Sequence, residues 1–189
     1  LGILTPESAR TAPDTLDLRS AVSEGKRAAE FLCASAARHQ ETSVVIARCF
    51  AFIGPYLPLD SHFAVGNFLR QASKGEPILV RGDGTARRSY LYAADLAGWL
   101  WTMLCRGRSC YAYNVGSEQT ISMAELARLV SELSGGNSAV TIEGSAAPSF
   151  APPSYAPATN RARTELGLAE TFTLRRSIER TLDWLRESR

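Results

Sequence analysis

No stretch of this 189-residue chain approaches the roughly 20 consecutive apolar residues that a membrane-crossing helix needs. Its first residues do not read as a secretory leader either, so neither a membrane span nor export is expected. Histidine is scarce, and His39 and His62 stand in no ligand pattern, so both are expected at the surface. The four cysteines, Cys33, Cys49, Cys105 and Cys110, fit no zinc spacing, and no metal site is predicted. A chain of this length gains little from a disulfide framework, which makes reduced thiols and a cytoplasmic location the expectation. Charge of one sign is not concentrated anywhere: 21 basic and 19 acidic residues alternate along the chain for a net +2. Without a basic block or stripe, nucleic-acid binding and membrane-surface attachment are not expected. Internal repeats are absent. The chain opens on Leu1-Gly2-Ile3-Leu4, which reads as the end of a buried strand, and it is therefore expected to be a piece of a longer protein.

What is present is the composition of one ordinary globular domain, 45% apolar and 21% charged. Residues 5–20 are rich in Pro, Thr, Asp and Ser and read as a surface loop. A helix is predicted over about 23–39. Ser43 to Arg48 is a short β-branched run of the kind that forms a buried parallel strand. Ala64 to Lys74 reads as a helix closed by Gly75. Short strands are predicted at Ile78–Val80 and Ser89–Tyr92, on either side of Gly82-Asp83-Gly84. An apolar helix follows at about 94–106 and a strand at Tyr111–Val115. Ser122 and Glu125 form a capping box at the start of a helix to about Leu133. Val140–Ile142 reads as a strand, Gly144 to Ala158 as an uncharged Ala/Pro/Ser loop, and Thr159–Leu166 as a helix ended by Gly167. Leu174, Ile178, Leu182 and Leu185 recur every three or four residues and mark a terminal amphipathic helix. Trp99, Trp101 and Trp184 are expected in the core or at an interface. Elements alternate first and mix later, which predicts an α/β fold: the end of a doubly wound sheet followed by a smaller α/β domain.

Five segments, in order, resemble the NAD-dependent epimerase/dehydratase family of extended short-chain dehydrogenases acting on nucleotide sugars. Ser20 to Glu30 resembles the Tyr-x-x-x-Lys helix, and Arg48 to Pro55 is similar to Arg-x-x-Asn-x-Tyr-Gly-Pro. Gly82-Asp83-Gly84, Arg88 to Tyr92 and Asp95-Leu96 match Gly-x-Gly, Arg-Asp-Phe-x-Tyr-Val-x-Asp-Leu. Tyr113-Asn114-Val115-Gly116 resembles Tyr-Asn-x-Gly, and Arg161 to Gly167, with Trp184 beyond, resembles the closing helices. The resemblance implies a Rossmann-type sheet remnant in residues 1–60 and mainly a nucleotide-sugar-binding domain in 61–189. The family's Gly-rich loop, which holds the cofactor pyrophosphate at a helix N-terminus, does not occur in this sequence.

In the family a Tyr moves a proton at the sugar while NAD or NADP takes a hydride, and a Lys one helical turn on holds the cofactor ribose and lowers the Tyr pKa. Lys26 occupies the lysine position, but the tyrosine position is Val22, which can move no proton. Lys26 is thus either a retained ribose ligand or a solvated helix lysine. The resemblance puts Arg88 against the ligand diphosphate, where a guanidinium fork suits two phosphate oxygens. It aligns Arg81 and Gln119 with contacts to base or ribose; for both, a plain surface role is the alternative. Asp95 is expected to cap or pack a helix start. The family's Asn stands here as Ala51, and the loop before Tyr155 lacks the second phosphate-binding arginine.

Two readings follow. The chain is the substrate half of an NAD-dependent epimerase or dehydratase, inactive by itself and not expected to bind the cofactor tightly. Alternatively it is a non-catalytic nucleotide-sugar-binding pseudoenzyme or scaffold. A nucleoside diphosphate-sugar is the expected ligand in the first reading and in the binding form of the second. Either a homodimer or an absent N-terminal half is expected to cover the apolar face of the Lys26 helix.

Overall fold

The computed structural model describes residues 4–9, 14–39, 42–59, 63–145 and 154–188. A single 3-10 turn at Leu18–Ser20, started by the Asp17 carboxylate accepting from the Arg19 amide, leads into helix α1 (Ala21–His39). The β-branched run is strand β1 (Val45–Cys49), followed by β2 (Phe52–Ile53), α2 (Ala64–Ser73) and β3 (Ile78–Val80). Next come β4 (Arg87–Ser89), β5 (Leu91–Tyr92), α3 (Ala93–Arg106), β6 (Tyr111–Val115) and β7 (Thr120–Ser122). Helix α4 (Met123–Ser134), β8 (Val140–Ile142), β9 (Ser154–Tyr155), α5 (Asn160–Leu166) and α6 (Leu174–Glu187) complete the chain.

Among the described residues the strands pair in four small sheets. β1 lies parallel to β6, β2 parallel to β5, and β3 parallel to β8. β4 is the centre of a three-stranded sheet, antiparallel to β7 and parallel to β9. The sequence predicts one strand over Ser89–Tyr92; instead the backbone leaves one sheet after Ser89 and joins another at Leu91, with Tyr90 at the crossing.

The expected helix signals are present. The Ser122/Glu125 capping box is formed at 3.2 and 2.9 Å, and Gly167 closes α5 in the left-handed conformation at φ 70°. Ile178, Leu182 and Leu185 bury one stripe of α6. That stripe joins Ile53, Val65, Leu69, Ile78, Leu126 and Val130 in the larger core. A second core gathers Leu91, Trp99, Met103, Tyr113, Val115 and Leu166 around β1 and β6. Tyr90 belongs to the first core and its neighbour Leu91 to the second.

Asp95 does not cap α3, whose N-cap is Tyr92 without a side-chain bond. Buried in the first turn, it accepts the amides of Thr171 and Phe172 at 3.0 and 3.1 Å and so fastens the loop before α6. Trp99 is buried and donates to the Ala169 carbonyl, Trp184 packs on Tyr56 at 4.9 Å, and Trp101 is 69% exposed. The side chain of Asn114, buried on β6, ties Thr5 and Ala158 together through their carbonyls at 2.8 and 3.0 Å.

Helix α1 is the exception to this packing: it buries no residue. Its strongest attachment is the Arg48 guanidinium, which donates Nε and Nη2 to the two Glu30 carboxylate oxygens at 2.8 and 2.7 Å. Val22, Phe31 and Leu32 stand exposed on it. Among the described residues no helix is long and apolar enough to cross a membrane. All four cysteines are free, and His39 is exposed; His62 lies outside the described residues.

Candidate functional site

The site begins at the Gly82-Asp83-Gly84 turn. Gly84 adopts φ 72°, and a Cβ there would come within 2.9 Å of the Ala124 side chain, so only glycine lets the turn lie against the start of α4. The Asp83 carboxylate accepts both the amide and the hydroxyl of Thr85 at 2.9 and 2.8 Å, which fixes the exit of the turn into β4. These hydrogen bonds hold the Asp83 carboxyl below the usual carboxylate range.

Alternation along β4 then separates two arginines. Arg87 is committed to structure: it bonds the Thr120 carbonyl and hydroxyl at 2.9 and 3.1 Å and faces Glu125 at 3.6 Å. Arg88 points the other way, half-buried, into a cleft of about 750 Å3. Its hydrogen bond within the described residues is to the Arg87 carbonyl, at 2.8 Å, and no carboxylate among them pairs with it. The Arg88 guanidinium lies 5.8 Å from the centre of the Tyr155 ring, which in turn stacks on Phe50 at 4.7 Å. β9 brings Tyr155 there by pairing it with Arg88 in register.

The rest of the cleft is apolar, with Ala51, Phe52, Leu57, Phe63, Val65 and Met123 among its walls. Tyr90, two residues beyond Arg88, completes the lining. Burial pushes its phenol up to about 12, against the opposing charge of Arg88. Tyr155 is also pushed up, by desolvation first, with Arg88 again opposing. Both therefore stay protonated across the neutral range and can donate a hydrogen bond.

Lys26 does not line the cleft; it is exposed on α1, and Val22 one turn before it is 74% exposed. Its position is marked by Cys49. As a residue Cys49 is exposed, yet enough protein surrounds the sulfur to push the thiol up, and the Lys26 charge opposes that shift. Cys49 in turn adds to the upward shift of the Tyr155 phenol. Arg81 is exposed just past β3 and is not part of the cleft.

Gln119 is elsewhere too. It belongs to a second, smaller cavity of about 270 Å3 with Trp99, Glu118, Thr159, Arg163 and Glu170. There Glu118 accepts the Thr159 amide and hydroxyl at 2.6 and 2.9 Å and faces Arg163 at 3.6 Å. Burial pushes the Glu170 carboxyl up, with the Ser117 hydroxyl opposing. Of the four residues singled out by sequence, Arg88 alone sits in the large cleft. Phe50, Phe63, Tyr90 and Tyr155 join it there, and an aromatic residue in a short extended segment gives no signal that separates a cleft wall from a core.

The sequence profile of the NAD dependent epimerase/dehydratase family matches residues 3–116. UDP-glucuronic acid decarboxylase 3 of Arabidopsis thaliana is 36% identical over 128 residues, which is 68% of this chain and 37% of the relative. UDP-glucuronic acid decarboxylase 1 of Xenopus tropicalis is 28% identical over 169 residues, covering 89% of this chain and 39% of the relative. Among solved structures, a UDP-glucose 4-epimerase of Thermotoga maritima with UDP-glucose superposes with a TM-score of 0.86 at 18% identity, over 100% of this chain and 59% of that one. A dTDP-glucose 4,6-dehydratase of Streptomyces venezuelae with NAD bound gives 0.82 at 20% identity, over 100% and 56%. The chain thus spans under two-fifths of these curated relatives and under three-fifths of these solved structures, whose likeness shows a shared Rossmann-type α/β fold.

Proposed function

Because the chain belongs to the NAD dependent epimerase/dehydratase family, we propose that it is the nucleotide-sugar-binding part of such an enzyme and performs no turnover by itself. One observation carries the binding half of this reading. Arg88 is a half-buried guanidinium without a carboxylate partner among the described residues, in a cleft whose walls are otherwise largely apolar. A charge so placed has lost part of its hydration and gains most from an anion that accepts two parallel N–H bonds, as a diphosphate does. Tyr155 and Phe50 beside it offer a flat aromatic face to the same ligand.

The inactive half of the reading rests on Val22, which has no proton to give or take where the family resemblance calls for Tyr. The cofactor fits these residues poorly. Lys26 is the one match to a cofactor contact; it is exposed, outside the cleft, on a helix that buries nothing. NAD therefore has no role assigned to these 189 residues beyond a contact that Lys26 offers when another part of the fold holds the dinucleotide. A non-catalytic sugar-nucleotide-binding protein is the second reading, and Val22 favours it.

Calorimetric titration with UDP and with UDP-glucuronic acid tests the proposal. Wild type should bind both, and Arg88→Ala should lose about 1.5–3 kcal/mol, roughly 10- to 150-fold in affinity. Equal affinities of the two proteins would refute the role of Arg88. Release of carbon dioxide, or an epimerised product, from UDP-glucuronic acid and NAD above the protein-free rate would refute the inactivity.

A further inference from the structure

Beyond Arg88, the cleft is lined by two phenols, Tyr90 and Tyr155, and Tyr90 is the more buried. Tyr90 is 8% exposed, and no described residue hydrogen-bonds its hydroxyl. Its hydroxyl is not among the enclosed unpartnered atoms of the described residues, which are the hydroxyls of Ser89 and Ser154; Tyr90 lines the cleft and is free to meet what enters it. The phenol is not needed to fill the core, since phenylalanine would fill the same volume, and the family motif that this segment resembles has Phe at this place.

Its surroundings say what the hydroxyl serves. Tyr90 and Arg88 line the same cleft. The next residue, Leu91, donates its amide to the Ala51 carbonyl at 3.0 Å, which lays Tyr90 beside position 51. Ala51 also lines the cleft and offers no polar atom from its side chain. Tyr155, the other phenol of the lining, is stacked on Phe50 and 45% exposed, so water reaches it. With Arg88 engaged on a diphosphate, Tyr90 is the most buried polar side chain left for whatever the diphosphate carries.

We propose that Tyr90 is a ligand-binding, specificity-determining residue: its hydroxyl bonds an oxygen of the sugar attached to the diphosphate, supplying from position 90 the polar contact that Ala51 cannot. The assignment rests on the nucleotide-sugar reading above. It predicts selectivity between a nucleotide with its sugar and the same nucleotide without it.

The test is calorimetry of the 189-residue chain with UDP and with UDP-glucuronic acid, for wild type, Tyr90→Phe and Tyr90→Phe/Ala51→Asn. The phenylalanine variant should keep its UDP affinity and lose about tenfold for UDP-glucuronic acid, the scale of one good hydrogen bond. Adding the asparagine should recover part of that loss. UDP binding by each variant doubles as the check that it is folded. Equal weakening of both ligands would place the hydroxyl on the phosphates and overturn the assignment, as would no change in either. Failure of wild type to bind UDP at all would instead overturn the nucleotide-sugar reading, and this inference with it.

Discussion

Glu30→Ala should loosen helix α1 without touching the rest of the protein. The helix buries none of its residues, so the term that usually holds an amphipathic helix to a domain is missing. The strongest tie is the fork between Arg48 and Glu30, two charge-assisted bonds at 2.8 and 2.7 Å, with Arg48 also bonding the Glu7 carbonyl at 2.8 Å; partial burial of Ala34 to Ala37 and a long thiol bond from Cys110 to the Ala34 carbonyl add to it. Both side chains of the pair are about one-third exposed, at 34% and 32%, so water screens part of the attraction. A bidentate pair in that setting is worth about 1 kcal/mol, at the upper end for surface ion pairs. That corresponds to about a fivefold change in the local opening constant. Hydrogen exchange of peptides within residues 21–39 should therefore be fast in wild type, relative to α4, and about fivefold faster in the variant. The thermal midpoint should barely move, because neither core contains a residue of α1. If α1 exchanges as slowly as α4, or if the variant melts like one with an emptied core position, the reasoning fails. Raising protein concentration adds a further reading: slower exchange in α1 would show a second copy covering Val22, Phe31 and Leu32, as the expected homodimer requires.

Asp95→Ala removes one carboxylate oxygen that holds two loop amides, and should cost about 2 kcal/mol in denaturant unfolding; an unchanged midpoint would show that the loop does not depend on it. The Tyr90 phenol, raised to about 12 in the fold, ionises near its ordinary value once unfolded. Its stabilising contribution is therefore complete below about pH 10 and is lost as pH climbs towards 12, since the unfolded chain releases its proton first. Tyr90→Phe should flatten that fall in stability, and absorbance titration should lose its last phenolate step. An unaltered stability profile would show that other groups drive the loss.

Long elements were legible in the sequence because their signals are redundant. The terminal helix repeats Ile178, Leu182 and Leu185 at helical spacing, and α4 announces its start with Ser122 and Glu125. The two-residue strands Phe52–Ile53, Leu91–Tyr92 and Ser154–Tyr155 carry no period at all, and the partners that define them are distant in sequence. The switch of sheet at Tyr90 was hidden for the same reason, since Ser89 to Tyr92 reads as one strand by composition. At the site, Arg88 stood out through its place in the motif of the family that the chain resembles. Tyr90 and Phe50 did not, because buried aromatics need no special reason. The resemblance aligned Gln119 with a contact to base or ribose, but the turn after β6 carries it to the other cavity, next to Glu118 and Thr159.

The crossing at Tyr90 has a mechanical side. Consecutive residues plug into different cores, Tyr90 into one and Leu91 into the other, and four residues further on Asp95 grips the loop that leads to α6. A single length of backbone is thus riveted to both halves of the molecule, with Arg88 at one end of it. Neither half can melt without tugging on the shared segment, so the two cores should lose their structure in one cooperative step. A ligand that grips Arg88 should accordingly raise the melting temperature of the β1/β6 half as well, although it touches little of that half.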